Sequence, residues 1–471
     1  MTERNPKSIY IAFFVLSPLG LAYLAYSRPG YFTSPTYLGG VLLLEFLAAA
    51  VWMYRRVFFP LVIVAFILAG VDLPVGHFWT ALRWLFLCVG ALVGAFIMLK
   101  ERSHHFGLFH IVAMFAVLAT FVSAAVSQFP QVAFLKALSF ALLFLYGATG
   151  ARLAVRGHEN RFFSGLLTGC EVFVGAVAVL YVLGIEAMGN PNSLGAVMGV
   201  AGAPILLWGA VLDERPFVRC RRLVLYGICM YLVFVSHARA GMVAALVSSG
   251  LLGLALRKYK MVVRGAGIIL ILVSAAAIVQ PEALLNTVSS LEMSIVYKSS
   301  TGGNILASRE SPWRAAVDSI SNHFWFGTGL GTIENSKASG PQAMFSSSTE
   351  VSTENGSSYL SIVAGVGVIG ALPFTLLLLL LLSRMFRAIA WLVKTRNPCH
   401  PAVPLAMVMI AAMIHAGFED WLFAPGYYLC VVFWSLAFVL VDVAPSPVPR
   451  VAFARRIWTM QRGLGGVAPS R

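Results

Sequence analysis

The chain of 471 residues is 59% apolar and only 11% charged, and its formal net charge is +15. Repeated apolar runs of about 20 residues exclude a soluble globular enzyme and predict an all-α polytopic bundle of transmembrane helices. The six cysteines form neither a CxxC motif nor a His-rich cluster. Their arrangement argues against a disulfide framework, a zinc site and a thiol catalyst.

Fourteen apolar segments are predicted as spans, and because three of them are short the true number is twelve to fourteen. They are 9–27, 37–54, 57–71, 78–99, 109–127, 131–151, 162–183, 192–212, 223–236, 240–256, 262–279, 358–383, 402–418 and 421–443. The first has no A-x-A cleavage site and is therefore interpreted as a helix rather than a removed signal.

The basic residues predict the topology of these spans. Most of the 34 Lys and Arg residues lie in alternate loops, which places the N-terminus in the cytoplasm. This gives four regions: spans 1 to 11 (1–279), a large outer loop (280–357), spans 12 to 14 (358–443) and a basic cytoplasmic tail (444–471). Since the charges are spread over many loops rather than gathered in one patch, they do not indicate a nucleic-acid partner.

The large outer loop is predicted to be functional because loops of this length seldom lack a role. Two amphipathic helices are expected in it, at 283–298 and 311–327, the second with Ser311 as N-cap, Pro312 at the first helical position and Gly327 at its end. The polar tract that follows, 336–358, suits a lid that admits substrate.

Four short stretches stand on the outer face in a defined order: GNPNSLGAVMG (189–199), SHARAGMVAALV (236–247), SRESPWRAAVDSISNHFWFGTGLGT (308–332) and ENGSSYLSIVAGVGVIG (354–370). With the many-helix layout and the late outer loop, they resemble the O-antigen ligase and polymerase superfamily of bacterial inner-membrane glycan-assembly proteins.

This resemblance implies transfer of a glycan from undecaprenyl diphosphate to a sugar hydroxyl, at a site facing the periplasm and with no metal or nucleotide cofactor. The implied partners are the undecaprenyl-diphosphate-linked glycan, membrane lipids and a chain-length regulator protein.

Arginines at the outer face are the candidates for binding the diphosphate, because a guanidinium binds phosphate oxygens bidentately and keeps its charge. By motif position the resemblance assigns catalytic roles to Arg239 and Arg309, which would stabilise the departing diphosphate. Arg314 either binds substrate as well or anchors at the interface. Arg83 and Lys136 lie inside spans, where charge is costly. They either contact the lipid carrier's phosphates or pair with one of two acids, Glu45 and Glu171.

Glu354 is the candidate general base. The ligase branch presents a His where this chain has Gly356 and Ser357, so the nearby carboxylate would accept the acceptor's proton; otherwise it caps the helix. Asn355, Ser357 and Ser358 would orient sugar hydroxyls or cap the same helix. Other polar residues have more general interpretations. His237 would support Arg239, and His323 would pack rather than transfer protons. His415, Glu419 and Asp420 would line an acceptor groove or form an ordinary turn, and Asn190–Pro191–Asn192 would cap a span.

The absent His favours a polymerase, which joins lipid-linked repeat units, over a ligase that passes the chain to lipid A-core. A protein O-oligosaccharyltransferase is the third choice within the family. A flippase for the same lipid-linked sugars would need charges along a path through the membrane, whereas the candidate charges gather at one face. A structural scaffold would leave two arginines and an acid at motif positions unexplained.

Overall fold

The computed structural model describes residues 22–23, 26–27, 30, 55–70, 76–101, 106–185, 188, 190–258, 307–332 and 356–445. Several predictions fall wholly or largely outside these residues. They are the spans 9–27, 37–54 and 262–279, the helix 283–298, the polar tract 336–358, the basic tail 444–471, and the residues Glu45, Glu354 and Asn355.

The described residues form helices and no strand. In chain order the helices are α1 (Arg55–Gly70), α2 (Gly76–Glu101), α3 (Leu108–Val126), α4 (Pro130–Val155), α5 (Glu159–Val182), α6 (Pro191–Val197, continuing through Ala203–Leu212), α7 (Pro216–Val235), α8 (Arg239–Ala255), α9 (Ala307–Asn322), α10 (Ser358–Thr395), α11 (Ala402–Ala416) and α12 (Tyr428–Val443).

Six of these helices, α2 to α6 and α10, are long and apolar enough to cross a membrane. Their outward surfaces carry large apolar side chains that the protein does not cover, such as Leu99, Val172 and Val182, which are 77%, 66% and 84% exposed. Uncovered apolar side chains of this kind are expected where lipid is the solvent. The all-α polytopic membrane fold is confirmed.

Three helices form the centre of the bundle. Nearly all side chains of α6, α11 and α12 are buried. Small residues allow α6 and α8 to approach at backbone distance, since a Cβ on Gly199 would lie 2.4 Å from the Gly241 carbonyl oxygen. This crossing joins the stretches 189–199 and 236–247, so their richness in small residues has a packing reason.

Charged side chains hold the helices together at one end, called here the basic end. Arg152 donates to both carboxylate oxygens of Asp442, at 2.6 and 2.9 Å, and so joins α4 to α12. Glu171 accepts from Arg221 at 2.5 Å and from Arg222 at 2.7 Å. Glu171 is therefore a structural ion-pair partner, as expected of it, but the prediction that it pairs with Arg83 or Lys136 is wrong.

Several helix boundaries differ from the predicted ones, and α7 begins at Pro216 rather than at 223. Helix α9 begins at Ala307 and ends at Asn322, so Ser311 is not its N-cap and Pro312 lies inside it. Helix α10 continues to Thr395 because Met385, Ala388 and Leu392, spaced three and four residues apart, keep one face buried beyond the apolar span. Helix α12 begins at Tyr428 rather than at 421, because 417–427 forms an irregular connection.

Candidate functional site

The connection 417–427 between α11 and α12 lies at the end of the bundle opposite the basic end, called here the site end. Its backbone is fixed by Ser358, the first residue of α10. The Ser358 hydroxyl donates to the Glu419 carbonyl at 2.7 Å and accepts from the amides of Trp421 and Leu422, both at 3.0 Å. Ser358 is fully buried, so its hydroxyl holds the connection rather than a sugar.

The ion pair between Arg309 and Glu419 is the central polar contact of this end. Arg309 lies near the start of α9 and donates to a carboxylate oxygen of Glu419, and each side chain is 20% exposed. Glu419 is therefore more than a residue of an ordinary polar turn, because its carboxylate holds a candidate catalytic arginine. A pair that is only partly screened by water keeps a fixed geometry better than an exposed pair does.

Gly356 places the residues before α10 directly beside this ion pair. It has a φ of 62°, and a Cβ there would lie 3.3 Å from the Arg309 Cδ atom and 3.4 Å from the Trp313 Nε1 atom. Trp313 donates from Nε1 to the Gly356 carbonyl at 3.2 Å. Gly356 therefore reaches the bundle at Arg309, whereas Glu354 and Asn355 are outside the described residues.

Ser357 occupies the N-cap position of α10 with an extended backbone, but its side chain makes no capping hydrogen bond. It is 5% exposed. Its predicted role in orienting a sugar hydroxyl stays a prediction.

His237 lies in the turn between α7 and α8, and Arg239 is the first residue of α8. His237 adopts a φ of 52°, and its carbonyl accepts from the Arg239 amide at 3.1 Å. Helix α8 packs along α11, and Arg396, which follows α10, donates to the carbonyl of Ala255 at the far end of α8. Helices α8 and α11 are therefore antiparallel, and the start of α8, with Arg239, lies at the site end together with Arg309.

The start of α6, which includes the Asn190–Pro191–Asn192 stretch, contacts both the turn before α8 and the connection 417–427. The Asn190 side chain accepts from the Asn192 amide at 2.8 Å, which confirms its predicted role as a helix cap. One residue on, the Ser193 hydroxyl accepts from the Tyr427 hydroxyl at 3.3 Å. Gly195 lies against Ser236 and Ala238. Stretches far apart in sequence therefore meet at one end of the bundle.

Arg83 and Lys136 also contact the site end. Arg83 donates to the Gly426 carbonyl at 2.8 Å and lies over the ring of Trp84, 5.4 Å from its centroid. Lys136 donates to the Gly331 carbonyl, and Asp420 interacts with it electrostatically. The connection 417–427 thus touches the surroundings of three candidate cations: Arg309, Lys136 and Arg83.

Arg314 is not brought to this cluster. It pairs with Glu310 on the same helix, and the two side chains are 76% and 49% exposed. A pair between two largely exposed side chains of one helix is typical of a solvated surface and gives no support to substrate binding by Arg314.

Two groups of residues gained a role that the sequence did not reveal. The sequence placed Glu419 at the end of a predicted span but did not indicate that Arg309 is its partner. Gly365 and Gly367 were part of a motif but had no assigned function. The structure shows that α10 is broken at Gly367, which has a φ of 71°.

The described residues contain no group of three or more His, Cys, Asp or Glu side chains that could hold a metal ion.

A family model described as O-antigen ligase matches residues 224–375, from within α7 to the first half of α10. The match contains Arg239, Arg309 and the segment before α10. It confirms the resemblance to the O-antigen ligase and polymerase superfamily for this part of the chain and supports a membrane enzyme of that kind. The chain matches no curated protein.

Proposed function

We propose that the protein is a membrane glycosyltransferase that moves a glycan from undecaprenyl diphosphate to a sugar hydroxyl, and that it joins lipid-linked repeat units into a polysaccharide. The Arg309–Glu419 ion pair carries this proposal, because it holds a guanidinium beside Gly356, at the start of a long apolar helix. A lipid diphosphate would bring its charge to the membrane surface, where such a cation could meet it.

The arginines would act on the leaving group. As the acceptor oxygen bonds to the anomeric carbon, the bond from that carbon to the diphosphate oxygen breaks and its electrons stay on the diphosphate. Arg309 and Arg239 would offset that charge, which is greater in the transition state than in the bound donor. Glu419 would keep the guanidinium of Arg309 in one orientation before the donor binds.

Glu354 would accept the proton that the acceptor hydroxyl loses. It precedes Gly356 by two residues, and Gly356 packs against Arg309. An ionised carboxylate near a cation suits this role, provided that it reaches the hydroxyl. Arg83 and Lys136, which contact the site end, would bind phosphate oxygens of the lipid carriers, and His237 would support Arg239.

The proposed location is the periplasmic face of the bacterial inner membrane, since the basic end carries the arginines expected in the cytoplasm. A chain-length regulator protein is the proposed protein partner.

Reconstitution of the purified chain in vesicles with an undecaprenyl diphosphate repeat unit tests the proposal. A ladder of products without lipid A-core supports polymerisation. Product formation only when core acceptor is added identifies a ligase instead, and redistribution of intact donor between leaflets without new glycosidic bonds identifies a flippase. The Arg309→Lys variant should form no ladder at normal protein level, because an ammonium group cannot reproduce the bidentate contact.

A further inference from the structure

The break in α10 is filled by backbone from the segment that follows α9. In a continuous helix the amides of Val368 and Ile369 would bond to the carbonyls of Ala364 and Gly365. Instead, these amides donate to the carbonyls of Phe324 and Trp325, at 2.8 and 3.4 Å. The freed carbonyls accept from the amides of Thr328 and Gly329, at 3.0 and 2.9 Å.

The segment 324–329 is therefore inserted into the hydrogen-bond ladder of α10, with both sides of the break satisfied. Glycines make the insertion sterically feasible. A Cβ on Gly367 would lie 2.3 Å from the Trp325 carbonyl oxygen, and a Cβ on Gly327 would lie 2.5 Å from the Gly365 carbonyl oxygen. Such a rigid attachment fixes the depth of segment 324–329 relative to the spans.

Contacts with α3 place the break level with the apolar part of a candidate span. Helix α3 is a candidate span of 19 residues that ends at Val126. Ser123 donates to the Gly365 carbonyl at 2.7 Å, and a Cβ on Gly370 would lie 3.6 Å from the Ala119 Cβ atom. The break is thus level with the last two turns of α3, some 5–10 Å below its end.

Three consecutive aromatic side chains of the inserted segment point away from the protein. Phe324, Trp325 and Phe326 are 46%, 60% and 44% exposed. Beside them on α10, Ile369 and Leu372 are 47% and 63% exposed, so the aromatic side chains continue the lipid-facing surface of a spanning helix. Trp is enriched near the membrane interface, and the Phe side chains on either side of Trp325 add apolar surface.

We propose that the Phe324–Trp325–Phe326 triad is a membrane-inserted anchor, and that its partner is the bilayer lipid of the leaflet at the site end. The segment 323–332 would enter and leave the same leaflet. The carbonyls of Phe324 and Trp325 and the amides of Thr328 and Gly329 bond to α10, and the amides of Gly327 and Thr332 bond within the segment. These backbone groups therefore need no water, as a re-entrant segment requires. Because α9 ends where the anchor begins, lipid contact also fixes the helix that carries Arg309. This inference does not depend on the proposed reaction.

Spin labelling in vesicles of phosphatidylethanolamine and phosphatidylglycerol, without any polyprenyl lipid, tests the anchor. The six native cysteines are first replaced by alanine or serine, and Trp325→Cys is labelled with a nitroxide. Leu372→Cys on α10 is the lipid-exposed control. Arg314→Cys on α9, at a side chain that is 76% exposed, is the aqueous control.

The label at position 325 should collide more often with oxygen, which dissolves in lipid, than with a water-soluble nickel chelate, by several-fold and as at position 372. The label at position 314 should show the reverse preference. Nickel accessibility at 325 equal to that at 314 would overturn the proposal. So would shielding from both reagents, which would place the triad against protein, or oxygen access that appears only after a polyprenyl lipid is added. Phe326→Cys provides the same measurement if the variant at 325 does not assemble.

Discussion

Among the residues that the structure describes, Arg309 pairs with the carboxylate of Glu419, and this makes Glu419 the residue whose loss should be most informative. Glu419→Gln leaves a guanidinium, only 20% exposed, without its anionic partner. We expect turnover to fall about 100-fold, because a displacement of about 1 Å at a catalytic group has that effect. The measurement is the initial rate of ladder formation in vesicles, with the donor KM determined separately.

Glu310→Gln is the matched control for this substitution. It makes the same chemical change and also removes a carboxylate from an arginine of α9, but the Glu310–Arg314 pair is largely exposed. An exposed pair contributes little, so the rate should stay within about twofold of the native rate. Equal losses in the two variants would show that Glu419 has no special role.

Glu354 is the second residue with a sharp expectation. Removing a general base typically lowers the rate by about 10²- to 10⁴-fold and leaves donor binding largely intact. Glu354→Gln should therefore stop chain growth while the chain still binds the lipid-linked donor, and Glu354→Asp should recover little because its carboxylate is retracted by about 1 Å.

Glu354→His restores the side chain that the ligase branch uses and should retain part of the activity. Rates and donor binding are compared at equal protein level. If Glu354→Gln polymerises at the native rate, Glu354 is only a helix cap, and the base is to be sought at His237, His323 or the Glu419–Asp420 pair.

What the sequence could reveal about these residues depended on how local their interactions are. Asn190 could be predicted as a cap from the Asn-Pro-Asn stretch itself, and the amide that it binds is only two residues away. The pairing of Arg309 with Glu419 joins residues 110 positions apart, and no local pattern encodes such a contact. Family motifs identified the arginine but not the acid that orients it, since Glu419 lies outside the matched residues 224–375.

At the scale of single elements, the break in α10 should be highly sensitive to substitution. Gly367 has a φ of 71° and a ψ of 175°, a conformation that costs other residues about 1–3 kcal/mol. In Gly367→Ala the added methyl group would also collide with the Trp325 carbonyl. We expect a lower midpoint of thermal denaturation in detergent, measured by size-exclusion fluorescence.

Gly175→Ala is the control for this prediction. Gly175 lies in the middle of α5, where a Cβ would meet nothing within 4 Å. The substitution should leave the midpoint unchanged or raise it, since alanine is favoured over glycine in helices by about 0.8–1 kcal/mol. A Gly367→Ala variant as stable as Gly175→Ala would show that the break is not rigid.

The helices and the break illustrate different kinds of predictability. Helix positions followed from apolar runs, so α2, α3 and α5 begin and end close to the predicted spans. The continuation of α10 beyond residue 383 could have been read from the spacing of Met385, Ala388 and Leu392. The insertion of 324–329 could not, because it exchanges backbone hydrogen bonds, which no side-chain pattern specifies.

His400, in the connection between α10 and α11, is expected to make the stability of the fold depend on pH. His400 is 1% exposed, and its Nδ1 atom accepts from the Ala402 amide at 3.1 Å. Burial lowers the pKa of His400 from 6.5 to about 4. Between these values the unfolded chain binds a proton that the folded chain does not, so the free energy of unfolding falls on acidification, by on the order of 3 kcal/mol in total.

His400→Asn keeps an acceptor for the Ala402 amide but does not titrate. Between pH 7.5 and pH 5 the midpoint of thermal denaturation should therefore fall less in His400→Asn than in the native chain. His158→Asn, at an exposed histidine, should behave like the native chain. The same pH dependence in all three proteins would contradict a role for His400.

Across the whole molecule, charges are sorted to the two ends of the described bundle and serve different purposes. At the basic end Arg152 and Asp442 join α4 to α12, and Arg222 and Glu171 join α7 to α5. At the site end the cations contact the connection 417–427 and the segments that approach it. Composition and charge placement were enough to predict this polarity, because both follow from the cost of placing charge in the membrane.

Cofactor dependence is a property of the whole molecule, because metal ligands can come from any of its elements. Among the described residues no cluster of His, Cys, Asp or Glu could hold a metal ion, and Glu419 is already paired with Arg309 while Asp420 faces Lys136. Arginines would then supply the positive charge that magnesium or manganese provides in other transferases.

We expect ladder formation in EDTA at a rate within about twofold of the untreated rate. A magnesium-dependent glycosyltransferase assayed in the same vesicles should lose its activity, which confirms that chelation is complete. Loss of turnover that magnesium or manganese restores would show that the charge on the departing diphosphate is offset by a metal ion rather than by Arg239 and Arg309 alone.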